Sequence, residues 1–180
     1  MTLKKYLPFE NYILTSSLSV EEINKRLNEN IDYEKASTLI RFNRTSSKPY
    51  VGEIFRNTFK IHRVIDYRNS FLPVITGEIF TSSGQTQIKI KMRLVTFVMI
   101  FISFWLGIVG TIGIGLVVAM LVQVQDLTHK TFSPMALIPL GMFVAGCLLT
   151  TIAFKSETAR SKAFLKKLFE AQENLNKKAG

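Results

Sequence analysis

The sequence predicts an α+β membrane protein: an antiparallel sheet with a covering helix, a two-helix transmembrane hairpin, and a C-terminal amphipathic helix packing back on the sheet. Three observations carry this. Residues 94–122 and 131–154 contain no charged side chain. Several short segments between residues 38 and 93 alternate apolar and polar side chains, the period of a strand. The segments on either side of these have the spacing of helices.

The opening stretch, MTLKKYLPFENYIL, has two lysines but no apolar core behind them, so it does not read as a cleaved signal peptide. The first apolar helix is expected to act as an uncleaved internal signal. A helix start follows. Ser19 is placed to cap, Glu22 to return the bond, and Leu18 and Ile23 to clasp across the turn. The helix is expected over about 20–29, with Asn28, Asn30 and Asp32 near its stop.

Strands come next. Residues 38–44 alternate, with Ile40 and Phe42 on one side, before the turn cluster TSSKP. YVGEIF and FKIH are joined by RNT as a hairpin. The pattern breaks over 66–70, and the chain is expected to re-enter the sheet around Pro73, which suits a strand start or edge. VITGEIF and IKIKMR form a second hairpin around SSGQ, the latter with Ile88, Ile90 and Met92 on one face. The tetrapeptide GEIF thus occurs twice, each time before a turn and a basic alternating strand. It reads as a repeated hairpin, with Gly52 and Gly77 marking a bulge or a close backbone approach. Glu53 and Glu78 sit alike in the two copies, as a carboxylate pair for glycoside chemistry would, or as outer-face residues facing Lys60, Arg63 or Lys89 across the strands.

About 20 apolar residues span a bilayer as a helix, so both uncharged runs qualify. Helices are expected over about 94–122 and 134–154, with an external loop over about 123–133 and Pro139 near the start of the second. The first would be about 43 Å long against a core of about 30 Å, so it should tilt or project and hold the sheet near the membrane surface. Ser103, Gly107, Thr111, Gly115 and Ala119 recur every fourth residue, as do Gly141 and Ala145, and Gly146 and Thr150. Such stripes let helices approach closely. They would close the hairpin or serve a second subunit or another membrane protein. Neither helix has a charged residue at its centre, which argues against a transporter acting alone.

In the tail, Ala163, Phe164, Leu168, Phe169 and Leu175 are expected to share a face, with Lys162, Lys166, Glu170 and Glu173 around it. Packing on the sheet is preferred to lying on lipid, because an open apolar sheet face needs a cover. The organisation is then a cytoplasmic α+β domain over 1–93, a transmembrane hairpin over 94–154, and a cytoplasmic amphipathic helix over 155–180.

The formal charge is +10, and residues 1–93 carry 15 Lys and Arg against 9 Asp and Glu. Lys89, Lys91 and Arg93 abut the first apolar run, and Lys155, Arg160 and Lys162 follow the second. The positive-inside rule puts both termini in the cytoplasm of a multi-pass inner (plasma) membrane protein. The expected partners are the bilayer and its anionic headgroups, with a membrane-protein partner or a homo-oligomer besides. Nucleic acid is not expected, since no binding motif accompanies the charge.

No motif for a cofactor, metal or phosphate is present. The two histidines, His62 and His129, fall on opposite sides of the membrane in this topology, and the only cysteine, Cys147, lies in the second apolar run. No catalytic residue and no cofactor is assigned. The one candidate binding segment is the loop carrying Asp66, Tyr67, Arg68 and Asn69, whose Asp and Asn side chains would equally serve to fix a turn.

The segment YRNSFLPVITGEI, followed by a basic strand and two apolar helices, resembles a group of uncharacterised bacterial membrane proteins found among cyanobacteria and related bacteria. The resemblance covers about residues 50–125 and implies the architecture alone. On these grounds the leading expectation is a membrane-anchored, non-enzymatic binding or scaffold module that holds a protein partner or small apolar ligand at the cytoplasmic face. The alternatives are a lipid-handling protein with a groove like that of helix-grip folds, and an enzyme of unknown class.

Overall fold

The computed structural model describes residues 8–33, 47–66, 69–82, 84–123 and 134–173. In chain order the elements are β1 (Phe9–Ser16), α1 (Val20–Asn30), β2 (Ile31–Tyr33), β3 (Tyr50–Phe55), β4 (Thr58–Arg63), β5 (Val74–Ser82), β6 (Gln85–Arg93), α2 (Thr96–Gln123), α3 (Ile138–Leu168) and β7 (Gln172–Glu173). The chain divides into two compact units, Met1–Val95 with Ala153–Gly180, and Thr96–Ile152.

The first unit is a seven-stranded sheet in the order β2-β3-β4-β5-β6-β1-β7. It is antiparallel except where β2 lies beside β3. Its two hairpins are those of the repeated tetrapeptide. β3 and β4 turn at Arg56 and Asn57, with Arg56 in the left-handed region (φ 50°), and β5 and β6 pair across a turn that has Gly84 at φ 74°. The Asn57 carbonyl accepts from the Ile79 amide at 2.7 Å, so the first turn is tied to β5.

Register and burial assign one face of the sheet to the core. Tyr12 and Leu14, Ile88, Ile90 and Met92, Ile75 and Ile79, Phe59 and Ile61, and Tyr50 lie on it. Both tetrapeptide glycines face the same way, and a side chain at either would clash, with backbone at Gly52 and with a ring at Gly77. A Cβ on Gly52 would fall on the Lys60 carbonyl, and one on Gly77 would fall inside the Phe59 ring. Phe59 therefore lies on bare backbone, and its other neighbour is Phe169, with ring centroids 6.1 Å apart.

α1 begins as its sequence indicates. The Ser19 hydroxyl accepts from the Glu22 amide at 3.2 Å, while the Glu22 carboxylate accepts from Arg26 instead, at 3.1 Å. Asn28 and Asn30 donate to carbonyls one turn back, and the chain passes directly into β2. β1 and β7, which the sequence pattern does not single out, extend the sheet beyond β6. The expected strand over 38–44 lies outside the described residues.

The tail departs from expectation in two ways. No break separates it from the second apolar helix: α3 runs unbroken from Ile138 to Leu168, because nothing between Phe154 and Leu168 is a glycine or proline. It also stops before Lys178. Glu170 adopts the left-handed conformation (φ 48°), and the Ala171 amide donates back to the Lys166 carbonyl at 3.0 Å, a closure glycine usually provides. Arg26 compensates by donating to the Leu168 carbonyl at 3.0 Å and to the Glu170 carboxylate at 2.7 Å. The chain then pairs with β1 as β7.

The second unit holds α2 and the first half of α3, two helices long and apolar enough to cross a membrane. A short 3-10 turn, Pro134–Leu137, leads into α3, and Pro139 sits in its first turn, where it costs no helical bond.

Replacing Gly77 with Ala should destabilise the sheet unit by about 1–3 kcal/mol through overpacking against Phe59. Thermal unfolding in detergent measures it. Phe59→Leu should recover part of the loss in the double variant, and strict additivity of the two changes would refute the contact as the cause.

Candidate functional site

The C-terminal half of α3 lies on the core face of the sheet with a polar stripe inward. Phe154, Glu157, Thr158, Ser161 and Leu165 are buried, whereas Ala163 is exposed and Phe164 and Leu168 are half-buried. The apolar face expected from the sequence is therefore rotated, because the tail meets polar groups on the sheet as well as apolar ones.

Two polar clusters result. In the first, Glu157 accepts from Arg63 of β4 at 2.7 Å and from Asn69 at 3.3 Å, with Arg160 3.8 Å away. The Tyr50 ring stacks on Phe164 at 4.4 Å. Burial pushes the Tyr50 phenol up, and Ser161 and Arg63 beside it pull it part of the way back. In the second, Glu10 of β1 accepts from Lys155 at 3.2 Å and Lys162 at 3.3 Å, and Glu173 of β7 accepts from Lys162 at 2.7 Å and Lys166 at 3.0 Å. The Lys162 ammonium stands 4.6 Å over the Tyr12 ring. Burial first, then Glu10 and Glu173, push the Tyr12 phenol far up. Burial also pushes the Glu173 carboxyl up, but Lys162 and Lys166 together outweigh it and hold it below the usual range.

These clusters fasten α3 to β1, β4 and β7. Neither sets a nucleophile beside a base that a substrate could reach. Each carboxylate already has its cations, and Glu157 is only 5 % exposed. Among the described residues no three His, Cys, Asp or Glu come together to hold a metal.

Of the candidate loop, Asn69 joins the first cluster, and its Oδ1 accepts from the Phe71 amide at 3.0 Å, closing a turn. Asp66 is exposed, and Tyr67 and Arg68 lie outside the described residues. Glu53 pairs in register with Lys60, and Glu78 with Lys89. β4 separates the two glutamates, which puts them roughly 12 Å apart from strand spacing and rise, beyond the about 5–9.5 Å of glycosidase pairs. The residues sequence reasoning missed are Glu10 and Glu157, while Arg63, expected opposite a tetrapeptide glutamate, pairs with Glu157. Glu157 had one signal: it is the first acid after 30 residues without one, at i−4 from Ser161 and i−7 from Phe164.

The other face of the sheet is basic. In successive rows across β4, β5, β6 and β1 it carries His62, Val74, Arg93 and Phe9, then Lys60, Thr76, Lys91 and Asn11, then Thr58, Glu78, Lys89 and Ile13. None of Lys60, Lys89, Lys91 and Arg93 makes an ion pair with a described residue.

In the helical hairpin, the stripe of Ser103, Gly107, Thr111, Gly115 and Ala119 is exposed, as are Gly141 and Ala145, with open space around Gly107, Gly115 and Gly141. The seam lies elsewhere. A Cβ on Gly110 would stand 3.0 Å from the Phe143 ring, one on Gly113 3.3 Å from the Leu140 amide, and one on Gly146 2.7 Å from the Trp105 ring. Large rings sit over glycines in both directions. Four residues advance a helix by about 400°, so each i+4 step drifts about 40° around it. A five-member stripe wraps too far to follow one neighbour.

Compared with known proteins, the chain matches no family model, no curated protein and no solved structure.

Three outcomes follow from this geometry. Glu157→Gln should cost about 3 kcal/mol, because it removes the charge from a buried carboxylate that accepts from Arg63 and Asn69, whereas Arg160→Ala, 64 % exposed, should cost under about 0.5 kcal/mol. Denaturant unfolding in detergent separates the two, and equal losses would exclude a buried lock. Gly146→Leu should open the hairpin while Gly107→Leu leaves it intact, read from cysteine cross-linking between α2 and α3. Glu173 is depressed in the fold, so its contribution is present above the unfolded value of about 4.5 and lost as pH falls through its lower folded value. Hydrogen exchange at β7, corrected for intrinsic rate, should be flat from pH 7 to 5 and rise only in stronger acid. Lys162→Met should move that rise to higher pH.

Proposed function

We propose that this chain is a two-span protein of the inner (plasma) membrane, with its sheet unit and both termini in the cytoplasm. The sheet unit is a non-enzymatic binding module that meets its partner through the outer face of the sheet. The observation that carries this reading is the closure of the other face by the chain's own helices. Leu14, Ile23, Leu27, Ile61, Ile88, Ile90, Leu165 and Phe169 are all 0 % exposed between sheet and helices. A groove of the helix-grip kind needs that space for its ligand, so a small apolar ligand under α3 is the weaker use of the fold. The outer face, by contrast, presents cations that no described carboxylate neutralises. Membrane residence is supported by the length and hydropathy of α2 and α3 and by exposed Phe97, Phe101, Phe104 and Ile152 along them, a surface suited to lipid rather than water. The open space at Gly107, Gly115 and Gly141 is where part of a second copy or another membrane protein would pack.

Photo-cross-linking in membranes tests the reading. A benzophenone side chain at Thr76, in the middle of the outer face, should yield adducts in abundance. The same group at Ala163, exposed on α3, should yield few. Adducts at Ala163 and none at Thr76 would overturn it, as would release of the protein from membranes by alkaline carbonate.

A further inference from the structure

We infer that Arg93 and Lys91, with Lys89 behind them, form a ladder on β6 for the anionic headgroups of the bilayer that α2 enters. The inference rests on the reading of α2 as a membrane span and of the outer sheet face as the binding face, and it names the partner of that face. β6 ends at Arg93 and α2 begins at Thr96, so two residues separate the ladder from the apolar helix. The three cations alternate with Ile88, Ile90 and Met92 and so share the outer face at steps of about 6.6 Å along the strand.

Their neighbours grade with distance from α2. In register, Arg93 lies between Phe9 and Val74, and Lys91 between Asn11 and Thr76, with no acid directly opposite either. Lys89 lies beside Glu78. The only other carboxylate in these rows, Glu53, stands three strands from β6 and beside Lys60. The uncompensated charge is thus concentrated at the end of the strand nearest the apolar helix. The basic residues that follow the apolar part of α3, Lys167 apart, do not share this property. Lys155 and Lys162 are bonded to Glu10, Lys162 and Lys166 to Glu173, and Arg160 stands by Glu157. Of the two basic segments flanking the hairpin, the one on α3 is largely paired within the fold, and the one on β6 has no described acid in register with Arg93 or Lys91.

Screening sets how far the ladder reaches. The headgroup layer is about 5–8 Å deep on each side, and charges are screened beyond about 8–10 Å at physiological ionic strength. Arg93 and Lys91 are the two cations nearest α2 along the chain, and Lys89 lies about 13 Å along the strand from Arg93, beside Glu78. Headgroup phosphates also suit what lies between the cations, since Asn11 and Thr76 are neutral side chains that can donate hydrogen bonds to phosphate oxygens.

The test uses the full chain in mild detergent, with phosphatidylglycerol or phosphatidylcholine titrated in and adducts counted by native mass spectrometry. Phosphatidylglycerol should bind more tightly. Arg93→Gln and Lys91→Gln should each weaken it by about fivefold, while Lys89→Gln changes it by less than about twofold and phosphatidylcholine binding stays the same. None of the three makes an ion pair with a described residue, and unchanged unfolding midpoints would confirm intact variants. Equal binding of the two lipids, or equal losses at Lys89 and Arg93, would overturn the ladder. If lipid selectivity is absent while Thr76 still cross-links to a protein, the lipid inference falls and the outer-face reading stands. If Thr76 yields no adduct of any kind, the outer-face reading itself falls.

Discussion

A carboxylate taken out of water must be paired, and Glu157 is that carboxylate in this fold. It sits on α3 at 5 % side-chain exposure and is met by Arg63 from β4 and Asn69 from the loop after it. Burying an ion costs several kcal/mol unless its partners are in place, so the helix has few acceptable positions on the sheet. Apolar contacts alone would not be so selective. Leu165, Phe154 and Phe169 are apolar groups on an apolar face, and one turn of sliding would still bury most of them. The second set of pairs acts at a different point. Lys162 reaches both Glu10 and Glu173, and Lys166 reaches Glu173. The first cluster lies toward β4 and the second at β1 and β7, so α3 is held at two separated places across the sheet.

The sheet's own construction makes room for this. Gly77 gives up its side chain so that the Phe59 ring can lie flat over β5, and that ring in turn meets Phe169 at the end of α3. The Ser16 hydroxyl donates to the Phe169 carbonyl at 2.6 Å, which ties the helix end to β1. Glu170 then turns the chain in a conformation that a non-glycine residue adopts at a cost, and Arg26 of α1 holds both that carboxylate and the last helical carbonyl. β7 follows from this turn. Each of these contacts joins residues distant in sequence, which is why the C-terminal segment behaves as part of the sheet unit.

Much of this was legible in the sequence wherever a period is imposed locally. The strict alternation of IKIKMR, the Ser19 cap, and the charge-free runs each follow from one physical requirement acting over a few residues. The hairpin pairings Glu53 with Lys60 and Glu78 with Lys89 were foreseeable for the same reason. What escaped was decided at long range. FENYILTS has no turn signal to announce a strand, and it becomes β1 because Lys91, Lys89 and Gln87 lie opposite its residues. The end of α3 carries no glycine, so its stop depends on Arg26, 142 residues from Leu168 in sequence. The inward stripe of Glu157, Thr158 and Ser161 reads as a solvated helix face until the sheet supplies Arg63 and Tyr50. The hairpin seam escaped for a geometric reason: spacing by four marks a wrapping path, whereas the contacts at Gly110, Gly113 and Gly146 depend on where Phe143 and Trp105 reach.

β6 shows how a single strand reconciles these demands. Its inner residues Ile88, Ile90 and Met92 are 0 % exposed, and its outer residues are Lys89, Lys91 and Arg93. A slip of one residue against β5 and β1 would exchange the two sets and bury three cations without partners. The desolvation of even one such charge is comparable to the whole stability of a domain. The same alternation that exposes the cations to an external anion therefore also fixes the register of the central pairs β5–β6 and β6–β1. Placing the cations on this strand serves the sheet's specificity first, and their availability outside it follows from the same pleat.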